Sequence, residues 1–411
     1  MVQRLRTFSG TVYLSILAAG VVLTQYASYL GQGEPVFKGQ SAAIILFFVA
    51  FGIAFLFWLG LKNRVRASGL LSWFLILMSV AWFAHLILYR IHSDAFTYSA
   101  LLYFPILVMI WLKPPGSREA WSAILAFAWT VAGVLVLTGI LEMLGVLARK
   151  AQPPGVIEFD IESYFLPVND LLGIDGRWSG PFGHNGPTAM MGALLIVIAV
   201  AHWTRASWVF IVVGGLTLLI TSGRASMGAV IAAFVVLIVS SKHDRITRIP
   251  QRFRIWGGLA VLLAGAVFMY TRTAGVTGRS VFWPAFWELW ESSPLVGVGT
   301  SGISVSGGIT QLYGHAHSLY FDELARYGLL GFVTQFAAIA VGVVIALIAA
   351  KRGVAGPLAI LTAYLVTGVT EPRNDWINPS VTGMLVILAV TTAAAALESK
   401  KDRLDVVDLE N

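Results

Sequence analysis

Residues 328–350 read GLLGFVTQFAAIAVGVVIALIAA, an unbroken run without a charged side chain that ends at Lys351-Arg352. A helix needs roughly 20 mostly apolar residues to cross about 30 Å of hydrocarbon at 1.5 Å per residue, and this run is long enough. The rest of the 411-residue chain repeats the pattern: 57% of it is apolar and only 12% charged, with a mean hydropathy of +0.78. About a quarter of a soluble domain is charged, so this chain cannot cover a water-facing globule. It reads as an integral membrane protein. Disorder, nucleic-acid binding and a disulfide scaffold are excluded together, since each needs charge, low hydrophobicity or cysteines. The net charge of +7 names no partner by itself, because membrane proteins carry excess Lys and Arg for topology. The chain has no cysteine, which removes disulfides and thiolate metal ligands.

Working outward from 328–350, about twelve apolar runs of spanning character can be counted. They lie near 10–30, 41–61, 69–90, 96–112, 121–147, 187–203, 207–222, 225–240, 255–271, 328–350, 354–370 and 378–397. The first follows Arg4 and Arg6 like a secretory signal, but no convincing small-residue cleavage site follows, so it reads as a retained helix. Twelve spans put both termini on one side. Lys62 to Arg66, Lys113 to Arg118, Lys242 to Arg254, Lys351-Arg352 and the tail Lys400 to Arg403 then share a face with Arg4, Arg6 and Arg205. That face holds 18 of the 28 Lys and Arg and is predicted to be cytoplasmic. The chain is expected to be one membrane domain over 1–411, with long outer loops at 148–186 and 272–327 and a cytoplasmic tail at 398–411. No P-loop is present and the inner loops are short, so a reaction at the outer leaflet must draw on an activated substrate.

The outer loops concentrate the cations. Gly176 to Pro187 is a chain of turns that holds Arg177 and His184 at headgroup depth before the next helix. Snorkelling to a lipid phosphate would explain that Arg equally well. In the short turn Thr221-Ser222-Gly223-Arg224-Ala225, Gly223 allows a tight bend and Arg224 stands at the membrane edge with no acid beside it in sequence. A phosphate suits its planar fork; an interfacial anchor paired to a distant acid is the plainer alternative. The second long loop carries Arg272 and Arg279, then Trp283, Phe286, Trp287 and Trp290 at i, i+3, i+4 and i+7. That spacing predicts a helix lying in the interface, its aromatic stripe docked on the membrane. Arg279, at or just before the helix N-terminus, could share an anion with the backbone N–H groups there.

Further on, Gly314-His315-Ala316-His317-Ser318 leads into a helical pattern that Ser318 can cap. Positive neighbours disfavour protonation of His317, and a neutral imidazole is a base. A metal held by His315 and His317 would need further ligands such as Asp170, Asp175, Asp322 or His184. Glu288, Asp322 and Arg326 are expected to solvate their helices rather than orient catalytic groups.

Four segments taken in order, Gly176 to Gly183, Ser222 to Ala225, Arg279 to Gly299 and His317 to Gly331, resemble the bacterial O-antigen ligases. The resemblance extends to their relatives, the O-antigen polymerases and protein O-oligosaccharyltransferases. It runs from Arg177 to about Phe336, and departs from many relatives in having Gly223 before the Arg and Ser318 after the His. It implies an all-α polytopic fold of the GT-C glycosyltransferase type, in the bacterial inner membrane, with a periplasmic active site on loops carrying short helices. It also implies a metal-independent, inverting transfer of a preassembled glycan from undecaprenyl diphosphate to a sugar of lipid A-core, with no cofactor.

The chemistry of the residues agrees with that implication. A diphosphate leaves an anomeric carbon readily once its growing charge is met by cations, for which Arg224 and Arg279 are the candidates. Arg177, Arg272, His184 and His315 are candidates for binding the substrates. The acceptor hydroxyl needs a base, and His317 is the candidate. A polymerase or protein-glycosylating enzyme would use the same logic. A lipid-linked glycan transporter would instead need polar groups within the spans, for which His85 and Glu142 are among few candidates.

Overall fold

The computed structural model describes residues 2–30, 37–61, 67, 69–88, 104–147, 151–152, 177–178, 180–182, 185–221, 223–240, 282–299, 302–303, 316, 318–369 and 381–409. At 2–9, 28–29, 37–44, 86, 151–152, 177, 185, 224 and 399–409 it describes the backbone alone. The first five helices are α1 (Val2–Leu30), α2 (Phe37–Leu59), α3 (Gly69–Leu88), α4 (104–112) and α5 (Ser117–Met143). A two-residue antiparallel ladder follows, β1 (Ala151–Gln152) with β2 (Arg177–Trp178), and then a 3₁₀ turn at Gly180–Phe182. The remaining helices are α6 (Asn185–Ala201), α7 (Ser207–Thr221), α8 (Arg224–Ser240), α9 (Phe282–Ser292), α10 (Leu319–Lys351), α11 (Gly356–Gly368) and α12 (Val381–Leu409).

These helices are apolar over most of their circumference, so burial is decided by neighbours rather than by one stripe. α12 is central: Met384, Ile387, Leu388, Ala389 and Val390 are fully buried, and α5, α10 and α11 surround them. At the periphery large apolar groups face outward, with Leu56 68%, Trp73 60% and Trp208 63% exposed. Lipid is the medium that tolerates such a surface. Threonines within the helices turn their hydroxyls back on their own backbones, as Thr138 donates to Val134 O, Thr391 to Ile387 O and Thr392 to Leu388 O, each at 2.7 Å.

Among the described residues four helical segments are long and apolar enough to cross a membrane, rather than about twelve: Gly10–Ala27, Ser117–Met143, Leu319–Lys351 and Val381–Glu398. Ile45–Leu59, Gly69–His85, Gly186–Ala201, Ser207–Thr221, Ala225–Ser240 and Gly356–Gly368 are shorter apolar helices. For α6, α7, α8 and α11 the reason is helix length, 13 to 17 residues against the roughly 20 of an untilted span, whereas α2 and α3 run to 23 and 20 residues and have described side chains only over part of that length. The apolar run at 255–271 lies outside the described residues, as does the start of the run at 96–112.

One end of the bundle gathers chain ends that carry the basic clusters. Lys113 caps the end of α2, its ammonium donating to Trp58 O at 3.0 Å and Leu61 O at 2.8 Å and lying 4.2 Å from the Trp58 ring. Arg352 donates to Leu397 O at 3.3 Å, which joins the end of α10 to α12 just before Lys400 and Lys401. His202, after α6, stacks on Trp121 near the start of α5. Burial there pushes the His202 imidazole below its ordinary value and favours its neutral form. The backbones of Arg177 and Arg224 and the start of α10 lie at the opposite end.

Candidate functional site

The most constrained feature of that opposite end is a break in α10. Gly328 has φ 60° and ψ −165°, so the helix stops at Tyr327 and restarts on a new axis. A helix start leaves N–H groups without intrahelical acceptors, and here another segment supplies them. Leu329 N–H donates to Pro294 O at 2.8 Å and Leu330 N–H to Leu295 O at 3.0 Å. In return Val298 N–H donates to Ala325 O, on the near side of the break, at 2.8 Å. The approach is close on both sides. A Cβ on Gly328 would overlap the Leu295 carbonyl carbon, and one on Gly297, at φ 66°, would overlap the Arg326 carbonyl. The turn at 294–298 and the elbow of α10 thus form one interlocked backbone unit.

α9 leads into that turn and packs on the entrance half of α10. The aromatic spacing is helical, as expected, but the stripe is divided. Phe286 is fully buried with Phe282, Ile303, Ala316 and Ala325, and Trp283 stacks on Phe321 at 5.2 Å. Trp287 is 41% exposed and leans on Trp290. Part of the stripe therefore docks on the protein itself, where a membrane-docking face was expected, because the entrance of α10 offers apolar surface that sequence spacing cannot reveal.

Ser318 occupies the N-cap position of α10 with extended φ/ψ, yet its side chain makes no capping bond. Asp322, one turn in, does the work of a tether. Its Oδ1 accepts from Ala316 N–H at 3.1 Å, and its Oδ2 accepts from Arg326 Nε–H at 2.7 Å. Asp322 is buried and Arg326 partly buried, and the two are bonded, contrary to the expectation that they solvate their helix; Glu288 is exposed as expected. Removing the acceptor leaves the buried Ala316 N–H unsatisfied, a cost of about 1–3 kcal/mol. Asp322→Ala is accordingly expected to lower the thermal midpoint in detergent. An unchanged midpoint would show that the Ala316 contact does not stabilise the fold.

The segment of Arg177 and Trp178 is anchored separately. Trp178 is buried and its indole N–H donates to Glu142 Oε2 at 2.6 Å, which pins β2, and with it the Arg177 backbone, over the end of α5. The 3₁₀ turn at 180–182 then packs on α1, α5 and α6. Arg224 opens α8, and Gly223 before it lies against Ala189 of α6 so closely that a Cβ would overlap that methyl group. α8 runs along α11, whose outer end accepts the Tyr320 hydroxyl at Leu365 O, 3.0 Å away.

The structure thus places the backbone of Arg177 and Arg224, but not their side chains. His184, Arg272, Arg279, His315 and His317 lie outside the described residues. Ala316, which stands between the two histidines in sequence, and Phe282, three residues after Arg279, meet in one apolar cluster. Among the metal alternatives Asp322 is committed to Ala316 and Arg326, while Asp170 and Asp175 also lie outside the described residues.

Residues 185–336 match the family model described as O-antigen ligase. The matched region begins at the first residue of α6 and ends within α10, beyond the elbow. It contains Arg224, Arg272, Arg279, His315 and His317, and stops just short of Arg177 and His184. The interlock of residues 294–298 with Gly328 lies wholly inside it. No curated protein matches the chain.

Sequence reasoning missed one further pair, His85 with Glu323. His85 is 1% exposed, with Nδ1 2.6 Å from Ala81 O and Nε2 2.7 Å from Glu323 Oε2. Nothing in the sequence joins residues 238 positions apart. Both His85 and Glu142, considered above as markers of a transport path, are bonded within the bundle.

Proposed function

We propose that this protein is an O-antigen ligase, transferring a preassembled glycan from undecaprenyl diphosphate to a sugar hydroxyl of lipid A-core at the periplasmic face of the inner membrane. The single observation that carries this reading is the family match over 185–336, the region that holds the elbow and the cationic outer turns of an apolar bundle. Twelve spans with both termini cytoplasmic remain the topology that keeps the basic clusters on one side, with the 13- to 17-residue helices crossing where the bilayer thins.

In this scheme the acceptor oxygen attacks the anomeric carbon from the face opposite the diphosphate. The C–O bond to the diphosphate breaks, its electron pair stays on the leaving oxygen, and the configuration inverts. Arg224 and Arg279 meet the developing negative charge, more strongly in the transition state than in the bound donor. His317 takes the hydroxyl proton. Arg177, Arg272, His184 and His315 hold donor and acceptor.

Purified protein given lipid-diphosphate glycan and lipid A-core is expected to form product in the presence of EDTA. Dependence on an added divalent metal would overturn the His and Arg scheme. Elongation of the donor glycan in place of capture by lipid A-core would identify a polymerase, and transfer to a polypeptide a protein O-oligosaccharyltransferase.

A further inference from the structure

The turn at 294–298 holds the elbow of α10 from one side by backbone bonds. On another side stands a single imidazole. His85 of α3 reaches Glu323 in the half before the break, and the Gln335 side chain, buried in the half after it, interacts with the same ring. The Tyr327 ring lies 4.2 Å from it, and a Cβ on Gly331 would come within 3.7 Å of its Cε1. Its contacts therefore come from both sides of the elbow. Ala81 O can only accept, so Nδ1 carries a proton, and one more proton is held between Nε2 and the Glu323 carboxyl.

A buried ion pair is a poor stabiliser, because apolar groups of similar volume often serve stability as well or better. What such a pair supplies that apolar contact does not is direction. Its hydrogen bonds have narrow preferred geometry, whereas leucines pack over a range of angles. The half of α10 that Glu323 orients also carries Asp322, which tethers Ala316.

We propose that His85, Glu323 and Gln335 are positioning residues that set the angle between the two halves of α10 and thereby place Ala316 and Ser318 relative to that end of the bundle. The catalytic consequence rests on the function proposed above. The elbow angle does not.

The absence of native cysteines permits a test by paired spin labels. Ile87→Cys, 74% exposed at the end of α3, and Glu288→Cys, exposed on α9, which rides on the entrance half of α10, report the angle. Pulsed dipolar spectroscopy is expected to give one narrow distance in the labelled parent. It should give a broadened or shifted distribution in His85→Leu/Glu323→Leu, whose apolar pair keeps the volume filled. Gln335→Leu, which cuts only the tether beyond the break, is expected to broaden the distance as well and serves if the double variant does not fold. Glu323→Gln, which keeps a hydrogen-bonding side chain, should restore the narrow distance.

In transfer assays the double variant is expected to lose about 10²-fold in kcat, as misplacement by an ångström can cause, with the donor KM held within about twofold. An unaltered distance distribution in the double variant, or in Gln335→Leu where that variant is the one that folds, overturns the proposal whatever the activity. A broadened distance with full kcat overturns its catalytic consequence. Failure of the unsubstituted protein to transfer glycan counts against the proposed function alone, since the distances still decide the elbow.

Discussion

Alanine at Gly328 is expected to abolish glycan transfer and to lower the melting midpoint substantially. The native φ of 60° and ψ of −165° fall in a region that is essentially reserved for glycine, and a side chain held there costs on the order of 1–3 kcal/mol from the backbone alone. The larger effect is steric. A Cβ at 328 would come 2.5 Å from Val296 N, with backbone rather than a flexible side chain as the obstacle. The turn must withdraw, and the Leu329 and Leu330 N–H groups lose Pro294 O and Leu295 O. Leu330→Ala, at a residue 52% exposed, is the matched control and should change little. Thermal melts in detergent beside a transfer assay check both. A Gly328→Ala protein that melts and turns over like the parent would show that the interlock does not organise the site.

Replacing His317 with alanine should cut transfer by about 10² to 10⁴, the usual contribution of a positioned base. Binding of the lipid-diphosphate donor should survive, because in the proposed scheme the imidazole meets the acceptor hydroxyl and not the diphosphate. Arg224→Ala and Arg279→Ala are expected to behave differently, slowing the reaction through the leaving group and weakening donor binding too. Donor affinity measured beside single-turnover transfer separates the two patterns. If His317→Ala loses donor binding and transfer together, the residue is structural or a diphosphate ligand, and the base must be sought elsewhere.

Much of the chain could be read before any fold was known. The apolar runs located every described helix but α9, and the boundary between a helical 318–327 and a run from 328 falls at the observed break. The aromatic spacing at 283–290 marked α9 as a helix but not the side on which Phe286 would be buried. Asp322 and Arg326 looked like solvent-facing charges because an acid and a base four residues apart suit an exposed helix face. Their burial was illegible, since it depends on Ala316 folding back and on α9 covering the turn.

Membrane residence, helix positions and the gathering of cations in two loops follow from composition and local periodicity, because the cost of taking backbone and charge into hydrocarbon acts on each segment by itself. The elbow of α10 is different. Its geometry needs Leu295 and Val296 to lie against Gly328 and His85 to lie against Glu323, and those contacts join segments 32 to 238 residues apart. Close approach and hydrogen-bond direction are properties of two surfaces together, so only the tertiary structure could decide them.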